Sequence, residues 1–598
     1  MATETQTDPA LNDASWDLDP LVDGRGADGV TAQLDEAQRR ADAFAERYAG
    51  RVAEIDGPQL AEAMQELAAI FELVGRAGSY ASLQFSTNTA DPERGALLQL
   101  VEERGTAIET KLLFFGLEWA ALDDDKAEEL LAADGLDQVR HYLRMERRYR
   151  PYLLSEPEEK IVAEKSVTGR SAWTRLFSEH VSAIEVDGEP LDVALSRLLS
   201  ADREVRRSTA EAVTKALEPG LRTRAYIFNT LVHDKAVEDR LRGYPTWLSS
   251  RNLANEVSDE SVQALVEAVK GRYEIPQRWY RLKAQILGID KLADYDRSAA
   301  VTTEDERFGW EESRDLVLDS FGSFSPEMEA LARRFFDERW IDAPVRPGKR
   351  GGAFCASAVP SVHPYVMLNF TFKRRDVLTL AHELGHGLHF ALAAKRGIFE
   401  QGTPLTVAET ASVFGETIVF NRLLEQAESA ESRLSLLAEA IEGAIATVFR
   451  QTAMNQFEDA VHTARRTEGE LSVERFNELW AGTQADLFGD SVELTDGYRS
   501  WWSYIPHFIG TPGYVYAYAY GQLLALSVYR RYLEEGSSFA PSYLEMLAAG
   551  GSMLPEDLGK IVGIDLADPN FWSAGLDLVE GQLQAAEAAA RDAGRVSA

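Results

Sequence analysis

Cysteine is almost absent from this chain: a single residue, Cys355, among 598. No internal disulfide can form, which excludes a disulfide-stapled scaffold and suits a reducing compartment. Long apolar runs are missing as well. No stretch of 18 apolar residues occurs, so no membrane-spanning helix is expected. The opening residues, MATETQTDPALNDASWDLD, lack both a basic and an apolar segment and do not read as a secretory signal. Together these absences make the cytoplasm the expected location. Basic residues are in short supply: 62 Lys and Arg against 97 Asp and Glu leave a formal charge of −35. Such a surface repels nucleic acid and anionic membranes, so neither is an expected partner. The acidity reads as a solvated exterior, or alternatively as the walls of a cavity that attracts cationic peptides.

What is present is ordinary globular composition, 45% hydrophobic and 27% charged, enough for a large core. The length suggests about three folding units. Residues 34–48 place Leu34, Ala37, Ala41, Phe44 and Tyr48 at helical spacings on one stripe. Similar patterns recur at 58–80, 92–122, 126–147, 203–241, 256–287, 430–466, 512–535 and 569–592. Long amphipathic helices joined by short polar turns predict a mainly α architecture. Strand signals are few: a short hairpin, or a strand and turn, at 183–192, and a pair at 353–359 and 364–370. The PGKRGG run before that pair lacks the spacing of a phosphate-binding loop and reads as a flexible connection.

Residues 382–386 read His-Glu-Leu-Gly-His inside a segment that favours one continuous helix despite two internal glycines. His382 and His386 are one helical turn apart, so both imidazoles leave the same face, as a tetrahedral zinc requires. Glu383 can reach a water on such a metal. With nine histidines in the chain, a chance match is expected in roughly one chain in a hundred, so the motif needs support. A catalytic zinc takes a third protein ligand. Position 392 is Leu, which excludes a third histidine of the metzincin type. A carboxylate from a downstream helix is the alternative. In TPLTVAETASVFGETIVFNRLL (403–424), Glu409 and Glu416 sit seven apart among apolar neighbours. Buried carboxylates need partners. Zinc would serve Glu409; a hydrogen bond to a ligand histidine, or a salt bridge, would serve Glu416. His389 reads as a packed core histidine rather than a fourth ligand, and Cys355 as a small strand residue.

Three segments carry a family resemblance: HPYVMLNFTFKRRDVLTLAHELGHGLH (363–389), VAETASVFGE (407–416) and HFIGTPGYVYAYAYG (507–521). With weaker likenesses at SWDLDPL, SYASLQFSTNTADPE and LSEPEEKIVAEKSVTGRSAWTRLF, the chain resembles oligoendopeptidase F, within the thimet-oligopeptidase-like zinc metallopeptidases. The resemblance implies a mainly α, two-lobed, clam-like zincin fold with a deep channel and a small β-sheet beside the active-site helix. The first 20 or so residues are polar and read as disordered or loosely attached, and the expected division is a polar N-terminal segment (1–30), an N-terminal helical lobe (31–200), and a catalytic region (201–598) contributing to both lobes. The resemblance further implies one zinc per chain on His382, His386 and Glu409, with Glu383 as general base. In such enzymes a histidine and tyrosines near the C-terminus bind the substrate carbonyl and oxyanion; the matching segment offers His507, Tyr514, Tyr516, Tyr518 and Tyr520. Tyr514 and Tyr518, one helical turn apart, are the preferred pair for the oxyanion, and Tyr516 a substrate contact.

The chemistry this predicts is hydrolysis of internal bonds in short unfolded oligopeptides by a metal-activated water. The strand at 353–359 or 364–370 could pair with the peptide backbone, with His363 contacting it near the cut. Two other readings stay open. A carboxypeptidase would need a cation for the substrate terminus, with Arg350, Lys373, Arg374, Arg375 and Arg499 as loose candidates. A non-catalytic peptide-binding protein could also occupy the same scaffold.

Overall fold

The structure, a computed structural model, describes residues 8–302, 306–566, 568 and 570–597. It is 73% helical with little sheet, so the mainly α expectation holds. The stripe read at 34–48 lies in a helix spanning Gly26–Tyr48, and all five of its residues are buried. Each large apolar side chain so buried contributes about 1.5–3 kcal/mol of transfer free energy. Helix starts are marked in the sequence. Asp56 and Gln59 form a capping box ahead of Gly57–Thr87, and Asp91 caps Pro92–Ala121, each with proline in the first turn. Helix interruptions are less legible. The segment 126–147 divides into Asp124–Leu131 and Arg140–Arg148. The segment 203–241 breaks at Pro219, where the turn Glu218–Gly220 separates Arg203–Leu217 from Leu221–Arg242.

The chain forms two compact units. The first comprises the described residues of 1–150, 305–422 and 528–565; the second those of 151–304, 423–527 and 566–598. Within the first, the polar N-terminal stretch is held rather than loose from residue 8 onward. Asp8 caps Pro9–Asp13, Trp16 is buried, and the Asp17 amide donates to the Arg339 carbonyl at 2.9 Å. Residues 1–7 of that stretch lie outside the described residues.

The first unit also holds the sheet beside the metal-motif helix. Its strands are β1 (Ile341–Pro344), β2 (Phe354–Ala356) and β3 (Tyr365–Phe370), in the order β1-β3-β2. The predicted pair is present: β2 runs antiparallel to β3, with Cys355 opposite Val366. β1, parallel to β3, was not signalled in the sequence. Every residue of β1 is buried, so it lacks the alternation that marks a half-exposed strand. The glycine-rich loop before β2 is tied down: Asn369 donates to the carbonyls of Arg350 and Gly352 at 2.9 and 2.8 Å. Two helices follow, α1 (Arg374–Ala393), which carries the motif as one unbroken helix, and α2 (Thr410–Gln426).

The second unit contains the expected hairpin, Glu185–Val186 paired with Glu189–Pro190. Its turn uses Asp187 and Gly188 at φ +55° and +82°, the left-handed geometry that matches strand twist. A two-residue parallel pairing of Leu292–Ala293 with Val492–Glu493 is too short to leave a sequence signal. Two helices of this part are α3 (Gln451–Glu468), which follows a π turn at Ile445–Arg450, and α4 (Tyr516–Glu535). Among the described residues, no helix is long and apolar enough to cross a membrane.

Candidate active site

The glycines inside the motif determine how the site assembles. A Cβ on Gly385 would lie 2.4 Å from the Ala411 carbonyl oxygen and 2.6 Å from Ser412 Cα. α1 and α2 therefore touch backbone to backbone, which no larger residue at 385 permits. Gly415 makes a similar approach from the other helix, its Cβ position 3.1 Å from the Ala381 carbonyl. This close crossing carries Glu409, at the junction of Leu405–Ala408 and α2, up to the two histidines.

His382, His386 and Glu409 converge. Each offers a ligand atom within 4.8 Å of the others, the one such three-residue group found among the described residues. Glu409 Oε2 lies 3.4 Å from His382 Nε2 and 3.4 Å from His386 Nε2. Two atoms each about 2.0–2.1 Å from a tetrahedral zinc stand ~3.3 Å apart, so these separations fit a shared zinc ion, and so does the donor set. The rings of His382 and His386 are 5.0 Å apart at 81°, so each presents an edge nitrogen to the common point.

Neighbours orient the ligands. Glu416 Oε2 lies 3.1 Å from His382 Nδ1, which turns Nε2 toward the cluster; the contact is a hydrogen bond to a neutral ring and an ion pair to a charged one. Ser412 donates to Glu409 Oε2 at 2.8 Å. Burial opposes a charge on His382, yet the carboxylates of Glu409 and Glu416 outweigh it and push its pKa up to about 10. Burial acts to raise the Glu409 carboxyl, but both imidazoles together hold it well below the usual range.

Glu383 is 7% exposed. Burial raises its pKa, opposed by the two motif imidazoles, and it also accepts a hydrogen bond from the Cys355 amide on β2. The edge strand is thereby tied to this carboxylate. Burial, and then the charge of Glu383, push the Cys355 thiol far up, so it is no nucleophile. His389 is buried beside Phe390 with its pKa lowered to about 4 by burial, a neutral core histidine as expected. His363 stacks on Trp340 at 4.3 Å and 5°, tilts against Tyr365, and places Nδ1 3.0 Å from the Pro364 carbonyl.

In the second unit, His507 Nε2 lies 3.3 Å from the Tyr518 hydroxyl, and its ring stacks on Tyr514 at 6.2 Å and 12°. Tyr514 and Tyr518 meet edge to face at 4.9 Å. Burial lowers the His507 pKa, favouring the neutral ring. Tyr516 is set apart. Two residues along a helix turn the side chain to the opposite face, so Tyr516 is fully buried, with Asn255 Nδ2 donating to its hydroxyl at 2.8 Å. A residue in that position packs the helix rather than contacting substrate. Tyr520 is buried on the same face, edge-on to Trp572.

Comparison with known proteins points one way. Residues 325–578 match the model of peptidase family M3, and residues 118–185 match a model described as oligopeptidase F. The oligopeptidase PepF of Bacillus subtilis is 27% identical, across 90% of this chain and 82% of that protein. The group B oligopeptidase PepB of Streptococcus agalactiae is 26% identical, across 77% of this chain and 78% of that protein. A solved protein of Chlamydophila abortus, 22% identical, superposes with a TM-score of 0.84 over 98% of this chain and 99% of that one. The oligoendopeptidase-F structure from Enterococcus faecium, 21% identical, gives 0.71 over 93% and 97%.

Proposed function

Since the chain belongs to the oligoendopeptidase F group of peptidase family M3, we propose that this peptidase is a zinc-dependent endopeptidase of short unfolded oligopeptides. The observation that carries the reading is the 3.4 Å approach of Glu409 Oε2 to both motif imidazoles. One zinc per chain, held by His382, His386 and Glu409, would supply a Lewis acid for the scissile carbonyl and lower the pKa of a water to about 7.

The chain's own groups do the rest. Glu383, buried with its pKa raised, is the general base: it takes a proton from the attacking water and hands it to the leaving amine. The Cys355 amide fixes its position. His507 and Tyr518, with Tyr514 packed against both, are the proposed donors to the oxygen on which negative charge develops. β2 lies at the sheet edge, and apart from the Cys355 amide held by Glu383 its outer main-chain groups are proposed to pair with an extended peptide, a pairing that tolerates many side chains. His363, beside the start of β3, is proposed to border that peptide. A cytoplasmic setting agrees with the single cysteine.

The test is mass spectrometry of products from a mixed peptide library, with and without a chelator, on free and C-terminally amidated peptides. Internal cuts in both peptide sets, abolished by the chelator, are expected. Cutting that survives complete zinc removal, or only release of C-terminal residues from free peptides, would overturn the reading.

A further inference from the structure

A glutamate outside the metal cluster has no evident reason to be where it is. Glu458, on α3, is fully buried, yet it forms no salt bridge among the described residues, and the one charge that favours its ionised form, Arg251, acts on it without a direct contact. Its Oε1 accepts the Gly513 amide at 2.9 Å, while its Oε2 has no partner. Burying a carboxyl on such terms is costly, and a leucine would pack at less cost. Burial pushes its pKa up to about 8. What Glu458 gains is a hold on one particular amide.

That amide belongs to the turn leading into Tyr514. Gly513 has φ +72°, and a Cβ there would lie 2.6 Å from Leu248 Cδ1 and 3.3 Å from the Trp247 ring. The turn is pressed against the segment 247–251, and Arg251 Nε donates to the Pro512 carbonyl at 3.4 Å. The same stretch of α3 steadies the opposing wall. Asp459 accepts the Trp247 indole N–H at 2.8 Å, and His462, one helical turn after Glu458, stacks on Trp247 at 4.3 Å and 9°. Beyond the turn, the Tyr516–Asn255 bond pins the rear face of α4. The front face carries Tyr518 toward His507. Between the clamp at Gly513 and the pin at Tyr516 sits Tyr514.

We propose that Glu458 is a positioning residue: by holding the Gly513 amide, it sets the pose of Tyr514 and Tyr518 against His507. This rests on the reading that His507 and Tyr518 donate to the developing oxyanion. A shift of about 1 Å in such a donor group costs as much as 10²-fold in rate without touching metal binding.

The experiment compares Glu458→Leu, Glu458→Gln, Tyr518→Phe and the Glu458→Leu/Tyr518→Phe double variant as zinc-loaded full-length protein. It reads kcat and KM on a quenched fluorescent peptide, zinc content and Tm. Glu458→Leu is expected to lower kcat by about 10- to 100-fold with KM within about threefold and one zinc per chain. Glu458→Gln, which keeps an acceptor oxygen, is expected to restore kcat to within about threefold of the parent. The double variant is expected to fall little below Tyr518→Phe alone, because both changes remove one interaction. Parental kcat in Glu458→Leu alongside an impaired Tyr518→Phe would overturn the positioning role and leave the oxyanion reading intact. So would a Gln variant as impaired as Leu, or losses that multiply in the double. Parental kcat in Tyr518→Phe would instead remove the oxyanion reading on which the proposal rests. Should Glu458→Leu fail to fold, Gly513→Ala strains the same turn from the other side and is expected to lower kcat likewise. A parental rate there would count against the clamp.

Discussion

The metal cluster and the His507 group are built on opposite plans. The first stands on two helices in backbone contact at Gly385, so its three ligands are placed by regular geometry and absent side chains. The second stands on a turn and a helix start, held by two buried polar side chains, Glu458 and Asn255, and by the left-handed backbone of Gly513. Close-packed backbones resist displacement because nothing can rotate away. A turn held by hydrogen bonds is lost when one acceptor is lost. The difference teaches that ligand placement here depends on residues too small to notice, and donor placement on residues too buried to expect.

The sharpest test of the first plan is Glu383→Gln, which leaves the helix crossing untouched and removes the base. We predict that it keeps one zinc per chain while kcat falls by about 10²–10⁴-fold. Comparable turnover on a fluorescent peptide would remove Glu383 from the chemistry. In the second region, His507→Ala is predicted to lower kcat by about 10²–10³-fold at unchanged zinc content. If zinc were lost as well, the two regions would not be separable in function. Gly385→Ala turns the comparison around, since it adds one methyl to the crossing 2.4 Å from the Ala411 carbonyl. Zinc affinity is expected to weaken about 10-fold or more, read by competition with a chromophoric chelator, along with a lowered Tm. Unaltered zinc affinity would mean that the crossing is softer than its geometry implies.

A different readout, stability, connects Glu458 with pH. Its carboxyl is raised from 4.5 to about 8 in the folded chain, so folding favours the neutral form. The stability this confers is fully present below pH 4.5 and is lost as pH rises toward about 8, because the unfolded chain ionises first. Relative to Glu458→Gln, which does not titrate, the parent's Tm is expected to decline across that window. Parallel Tm curves would show that the carboxyl is not strained by its burial.

Much of the first region could be read in the sequence. His382, His386 and Glu383 follow from spacing on one helix. Glu409 and Glu416 stand out as carboxylates among apolar neighbours, and both meet the motif, Glu409 at Nε2 of each imidazole and Glu416 at His382 Nδ1. The structural role of Gly385 was not legible, since a helix-internal glycine reads as a weakness until a second backbone is seen against it. The predicted β2–β3 pair was found, but β1 was missed because strands buried on both faces do not alternate. In the second region, His507, Tyr514 and Tyr518 were found through resemblance and helical spacing. That same spacing separates Tyr516, whose alternation with its neighbours becomes opposition on a helix. Glu458 escaped notice because its partner is a backbone amide 55 residues away, which no local pattern encodes. Its one sequence signal was a carboxylate one helical turn from His462, on a helix face that also carries Asn455 and Val461.

The most direct test of the whole account is anomalous diffraction at the zinc edge from crystals of the full chain. One peak per chain is predicted, about 2.0–2.2 Å from His382 Nε2, His386 Nε2 and a Glu409 carboxylate oxygen. A peak bound elsewhere, or Glu409 turned away from an ion held by the two histidines alone, would contradict it.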